Sequence, residues 1–162
     1  MVTSAMASSA RSERRTGRKV AAAAGWALLR LATAAMLAVD AWVHIDSAAN
    51  YDADRGGMIS QGDLFRVETA AAGVVALAVL VPWAQSRWLR AVSWVAALLV
   101  AGSALGAVLL YRYVDVGVLG PLPDMYEPTW QVPGKLLSAC AEAAAVVLAL
   151  IGLLLESLRA RA

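Results

Sequence analysis

Residues 91–111 (AVSWVAALLVAGSALGAVLLY) carry no charged side chain over 21 consecutive positions. As a helix rising about 1.5 Å per residue, such a run is as long as the roughly 30 Å hydrocarbon core of a bilayer is thick. Buried in a soluble protein, it would need apolar neighbours on every side. The rest of the chain supplies three similar runs, at about 24–45, 64–83 and 134–156, each interrupted by a few ionisable residues. An apolar fraction of 60% and a mean hydropathy of +0.64 place the 162 residues outside the soluble globular range. The pattern predicts an all-α integral membrane protein, a bundle of four antiparallel transmembrane helices, with the bilayer as its first partner. Arg30 interrupts the first run, and three more follow it, so that run reads as a span and not as a cleaved leader.

The charges give the expected orientation. Residues 1–19 (MVTSAMASSARSERRTGRK) are small, polar and basic, and read as a disordered tail preceding a transmembrane domain at 20–158. Arg87 and Arg90 lie between spans two and three, and Arg159 and Arg161 follow span four. These basic segments fall on one side, which the positive-inside rule makes the cytoplasm. The other side collects Asp46, Asp52, Asp54, Asp63, Asp115, Asp124 and Glu127. A multi-pass protein of the cell membrane with both termini in the cytoplasm follows. The net charge of +2 is thus a balance of two opposed faces and gives no ground for nucleic-acid binding.

Polar residues inside the runs fall in stripes. At about 100° per residue, Arg30, Thr33, Asp40, His44 and Ser47 occupy an arc of roughly 100°, and Lys135, Ser138, Glu142 and Glu156 one of about 60°. Charge facing lipid costs at least about 2.5–3.5 kcal/mol per residue, so both stripes should face the bundle interior. Helical rise puts Asp40, Glu68 and Glu142 in one outer layer, with His44 just above. These four are the expected ligand-binding group: either a pocket for a cation, a proton or a small polar ligand, or a polar network satisfied by Arg66, Arg112 and Lys135. Near the opposite end Arg30 and Glu156 reach similar heights and are expected to pair. Gly102 and Gly106 form a GxxxG read as helix packing.

The first outer loop contains DADRGGMISQGD at residues 52–63. Its spacing fits much of a twelve-residue calcium loop, with Asp52, Asp54, Ser60 and Asp63 as ligands and Gly57 at the sharp turn. Gly56 offers no side chain where a fifth ligand belongs, and Asp63 is shorter than the usual glutamate. The competing reading makes Asp63 a cap for the helix that follows. The second loop, 112–133, holds Pro121, Pro123, Pro128 and Pro133, which exclude a helix. Tyr111, Tyr113, Tyr126 and Trp130 suit an interfacial aromatic belt. With Cys140 the only cysteine and His44 the only histidine, a disulfide, a thiolate zinc site and bis-histidine haem are all excluded within one chain, and no nucleophile–base set marks an enzyme.

Three stretches carry a resemblance: ISQGDLFRVE (59–68), GPLPDMYEPTW (120–130) and the Ala141–Glu142 pair. Over roughly residues 25–156 the chain resembles an uncharacterised family of small four-helix membrane proteins from actinobacteria, whose layout is similar to the DoxX-like group. That resemblance implies the four-helix fold and no particular activity. The expected role is a binding or accessory subunit, working with another membrane subunit or with further copies of itself. A subunit of a quinone-linked oxidoreductase and a small ion or metabolite transporter are the alternatives.

Overall fold

The computed structural model describes residues 2–55, 58–83 and 86–161, with side chains from residue 14 onward. Four helices account for most of it: α1 (Val2–Ala48), α2 (Gln61–Leu80), α3 (Arg87–Tyr113) and α4 (Lys135–Arg159), with a short 3-10 turn, Ala49–Tyr51, extending α1. No strand occurs among the described residues. Three of the helices, α1, α3 and α4, are long and apolar enough to cross a membrane. α2, where a span at 64–83 is expected, is not one of these three; it runs from Gln61 to Leu80, with Val81 as its C-cap and Pro82 beyond. Its first turns carry Asp63, Arg66 and Glu68, leaving an uncharged stretch of the helix only over residues 69–80. That stretch is about 18 Å long.

α1 is longer than its apolar run, continuing back through the basic segment that the composition alone marks as disordered. Ala, Arg, Lys and Glu are good helix formers, and a segment joined to an existing helix does not bear the cost of nucleation. The helix ends have local causes. Ser60 and Asp63 form a capping box on α2: the Asp63 amide donates to Ser60 Oγ at 3.0 Å, and the Ser60 amide donates to Asp63 Oδ2 at 3.2 Å. Ser86 caps α3 by accepting from the Leu89 amide. Gly134 opens α4 at φ +82°, a left-handed conformation that suits glycine, and a Cβ there would also press on Val43.

The helices pack in cyclic order, α1 against α2 and α4, α3 against α4 and α2. Neighbours run antiparallel: Thr69 Oγ1 in α2 donates to the Ala41 carbonyl in α1 at 3.2 Å, and Arg90 near the start of α3 binds Glu156 near the end of α4. The core is small-sided, built from Ala34, Ala72, Ala76, Ala97, Ala101, Ala145 and Ala149 around Leu37, Val79 and Trp94. Such residues let helix backbones approach closely. One close contact is between Trp94 and Gly152, where a Cβ on the glycine would collide with the indole ring. The GxxxG plays no such part. A Cβ on Gly106 would meet nothing within 4 Å, and one on Gly102 only Val146 Cγ2 at 3.9 Å.

The surface reverses the usual distribution. Leu28 and Val74 are each 67% exposed, and Leu99 is 65% exposed, while Asp40, Glu142 and Glu156 are buried. Tyr111, assigned by its position to an aromatic belt, is buried as well, whereas Tyr113 is 65% exposed.

Candidate functional site

At the end of the bundle where α1 stops and α4 begins, the two polar stripes meet. Asp40 and Glu142 are 1% and 0% exposed, and Ser138, one turn before Glu142, stands between them. Ser138 Oγ lies 3.0 Å from Asp40 Oδ1 and 2.6 Å from Glu142 Oε1. One hydroxyl hydrogen serves one of these contacts; the other needs a carboxyl hydrogen, or a cation to neutralise the pair. His44 Nδ1 lies 2.9 Å from Asp40 Oδ1 and 3.0 Å from the Asp40 carbonyl oxygen. Both neighbours are acceptors, so Nδ1 donates and carries the ring hydrogen. The edge of the His44 ring packs against Phe65 at 5.1 Å between centroids.

The second oxygens are the unusual feature. Asp40 Oδ2, Glu142 Oε2 and Glu68 Oε1 are all buried without a hydrogen-bond partner. Buried carboxylate oxygens are normally satisfied, because stripping their water without replacement is costly. The three bases expected to neutralise the acids bind elsewhere. Arg66 makes a bidentate pair with Asp52, at 2.7 and 2.9 Å. The Arg112 guanidinium stacks on Tyr113 and Trp130, at 5.0 and 5.7 Å. Lys135 Nζ donates to the Glu127 carbonyl at 2.6 Å.

Above the trio lies a cavity of about 540 Å³, with His44, Glu68 and Ser138 among its lining residues. All four helices contribute to its wall, which is largely apolar: Leu64 and Phe65 from α2, Ala107 and Val108 from α3. The proline-rich loop closes it through Leu122, Met125 and Val132. Glu127 fastens that loop, accepting from Tyr51 Oη at 3.3 Å and pairing with Lys135. The amides of Met58 and Ile59 both donate to the Pro121 carbonyl at 3.1 Å. The stretches 59–68 and 120–130 therefore meet in space, over the site.

Of the four residues expected to form one group, the fold brings Asp40, His44 and Glu142 together, with ligand atoms within 4.8 Å of one another. Glu68 stands apart from them on the cavity wall. The sequence reading missed Ser138 as the link and Glu127 as the loop anchor. The signal for the first was present: Ser138 and Glu142 share the spacing of Asp40 and His44, one turn apart on one face.

Two expectations are corrected. Glu156 is bound by Arg90, at 3.1 and 3.2 Å, with Arg159 at 4.0 Å. Arg30 instead donates to the Val81 carbonyl at 2.7 Å, tying the end of α2 to α1. Similar height on two helices was not enough, because the short link after α2 delivers Arg90 directly over Glu156. The calcium loop fares likewise. Asp52 is taken by Arg66, Ser60 and Asp63 are taken by the capping box, and among the described residues Asp52, Asp54 and Asp63 do not converge on one point. Gly57 lies outside the described residues.

The loop pairs predict an acid response. The Arg66 guanidinium beside Asp52 holds its carboxyl below the usual range, and hydrogen bonding to Ser60 does the same for Asp63. Their stabilisation is complete above the ordinary carboxylate pKa of about 4 and is lost as pH falls through the lowered folded values. Thermal unfolding in detergent should therefore show a falling Tm below about pH 4. Asp52→Asn should flatten that slope; an unchanged slope would show that the Arg66 pair contributes nothing.

No family model, curated protein or solved structure matches the chain.

Proposed function

We propose that this chain is a four-span protein of the cell membrane, α2 being the fourth span, that binds a small ligand in the cavity at its non-cytoplasmic end. The ligand class that fits has an apolar body and a polar or cationic head: the walls are largely aliphatic and aromatic, with Glu68 and Glu127 among them and the Asp40–Glu142 pair behind the lining. The carrying observation is the placement of the unpartnered Asp40, Glu68 and Glu142 oxygens at or behind the lining of a cavity roofed by the second loop. An exterior of exposed leucine and valine around buried carboxylates supports the membrane assignment. The role that accords with this reading is a binding or accessory subunit. α2 completes a span by setting Asp63 and Arg66 at the interface, where charge is tolerated.

Native mass spectrometry of the detergent-purified chain tests the ligand. A small molecule should travel with the unmutated protein and be lost from Ala107→Trp, which fills the cavity wall. No bound mass, or one unaffected by the tryptophan, would reject the reading. Orientation is tested with single cysteines in a Cys140→Ser background. Cysteines at Ala53 and Asp124 should react with an impermeant thiol reagent on intact cells, and one at Ser86 should not. The reverse pattern would put the cavity on the cytoplasmic side.

A further inference from the structure

We infer that Asp40, His44 and Glu142 form a binding site for one divalent first-row transition-metal ion, seated behind the floor of the cavity. The inference deepens the ligand-binding reading and rests on it for the site's purpose, but its evidence is separate. The three residues offer donor atoms within 4.8 Å of one another. Neighbouring donors on an ion bound at about 2.0–2.2 Å lie roughly 3–3.5 Å apart, so closing around a metal asks for side-chain movements on the order of an ångström. Two of the available atoms, Asp40 Oδ2 and Glu142 Oε2, are buried and make no hydrogen bond. Both side chains are more than nine-tenths buried, so bulk water does not compensate them.

Charge makes the same case. Two carboxylates face one imidazole, and the nearby bases are engaged with Asp52, Glu127 and the aromatic rings of the loop. A dication balances two carboxylates. The donor set of one imidazole and two carboxylates selects the metal class. Calcium and magnesium prefer all-oxygen sites, and a thiolate-loving ion would need cysteine. Manganese(II), iron(II), cobalt(II) and zinc(II) accept mixed nitrogen and oxygen donors. Ser138, 3.0 and 2.6 Å from the two acids, can donate its one hydrogen to either carboxylate as an outer hydrogen-bond partner of the kind that metal ligands regularly have. Neutral His44 coordinates through Nδ1 when its single ring hydrogen moves to Nε2, leaving the Nδ1 lone pair for the metal.

Because His44 is the only histidine, the metal carries its own label. Tag-free protein in detergent, stripped with chelator and loaded with manganese(II) alone, should bind one ion per chain. Pulsed electron paramagnetic resonance should then show coupling to one imidazole nitrogen. That measurement uses the unmutated chain, so it survives if variants misfold. Asp40→Asn and Glu142→Gln, nearly isosteric, should each weaken zinc or manganese binding by at least tenfold, and Asp52→Asn should leave it unchanged. No saturable binding, or bound manganese without nitrogen coupling, would overturn the inference. If a small molecule still travels with the protein in mass spectrometry, the cavity reading stands without the metal; if metal binds and no such molecule is found, the reverse holds.

Discussion

Replacing Gly152 with valine should destabilise the bundle by about 1–3 kcal/mol, the usual cost of forcing extra methyl groups into a filled core. Trp94 is 1% exposed, and its ring already occupies the space that a Cβ on Gly152 would take. The indole also stacks at a tilt on Trp26, at 6.3 Å between centroids, so it has little freedom to retreat. Thermal unfolding in detergent, followed by the helical circular dichroism signal, reads the effect. Trp94→Leu made alone should also be destabilising, through lost packing. Combined with Gly152→Val it should restore part of the loss, because the smaller side chain makes room for the methyl groups. An interaction energy of about 0.5–3 kcal/mol is expected for such a contact pair. Gly106→Ala, where a Cβ would meet nothing, serves as the tolerated control. A Gly152→Val protein as stable as its parent would show that α3 and α4 do not meet at this point.

The second large effect is coupling between Asp40 and Glu142. Both contact one Ser138 hydroxyl, so each senses the charge and hydrogens of the other. Asp40→Asn, Glu142→Gln and the double variant define a thermodynamic cycle. Residues sharing one hydrogen-bond network should deviate from additivity by about 0.5–3 kcal/mol. The two singles should also differ. A glutamine at 142 brings its own hydrogens to the Ser138 contact and relieves the acid pair, so its cost should be small. An asparagine at 40 removes the charge that receives the His44 Nδ1 hydrogen at 2.9 Å, and should be the more destabilising change. Additivity within about 0.3–0.5 kcal/mol would separate the two carboxylates and remove the basis for a shared site.

What could be read in the sequence was whatever follows from one helix at a time. The stripe of Asp40 and His44 and that of Lys135, Ser138 and Glu142 are matters of period, and a charge that cannot face lipid has only the interior left. Helix lengths and the non-helical second loop follow equally from apolar runs and prolines. Pairings between helices were less accessible. Height along an axis is fixed by sequence position, but azimuth is fixed by packing. Arg30 and Glu156 therefore looked like partners until Arg90 was seen to lie closer. The calcium spacing failed for another reason: Asp63 sits where a helix begins, and its carboxylate accepts from the Ser60 amide in the capping box. Gly152 had no signal, since one glycine among leucines does not say which large side chain will lie on it.

The aspartate–histidine–glutamate trio and the Arg90–Glu156 pair sit at opposite ends of α4, about 21 Å apart along its axis. Between them the interior is Ala145, Ala149, Leu37, Ala72 and the indole of Trp94, with the buried Thr33 hydroxyl donating to the Leu29 carbonyl of its own helix. In electrical terms this layer is an insulator. Among the described residues no chain of hydrogen-bonded side chains links the trio to the Arg90–Glu156 pair, and the low-dielectric layer between them includes the close Trp94–Gly152 contact. For charge to pass from one end of α4 to the other it would have to cross the layer that Trp94 and Gly152 close.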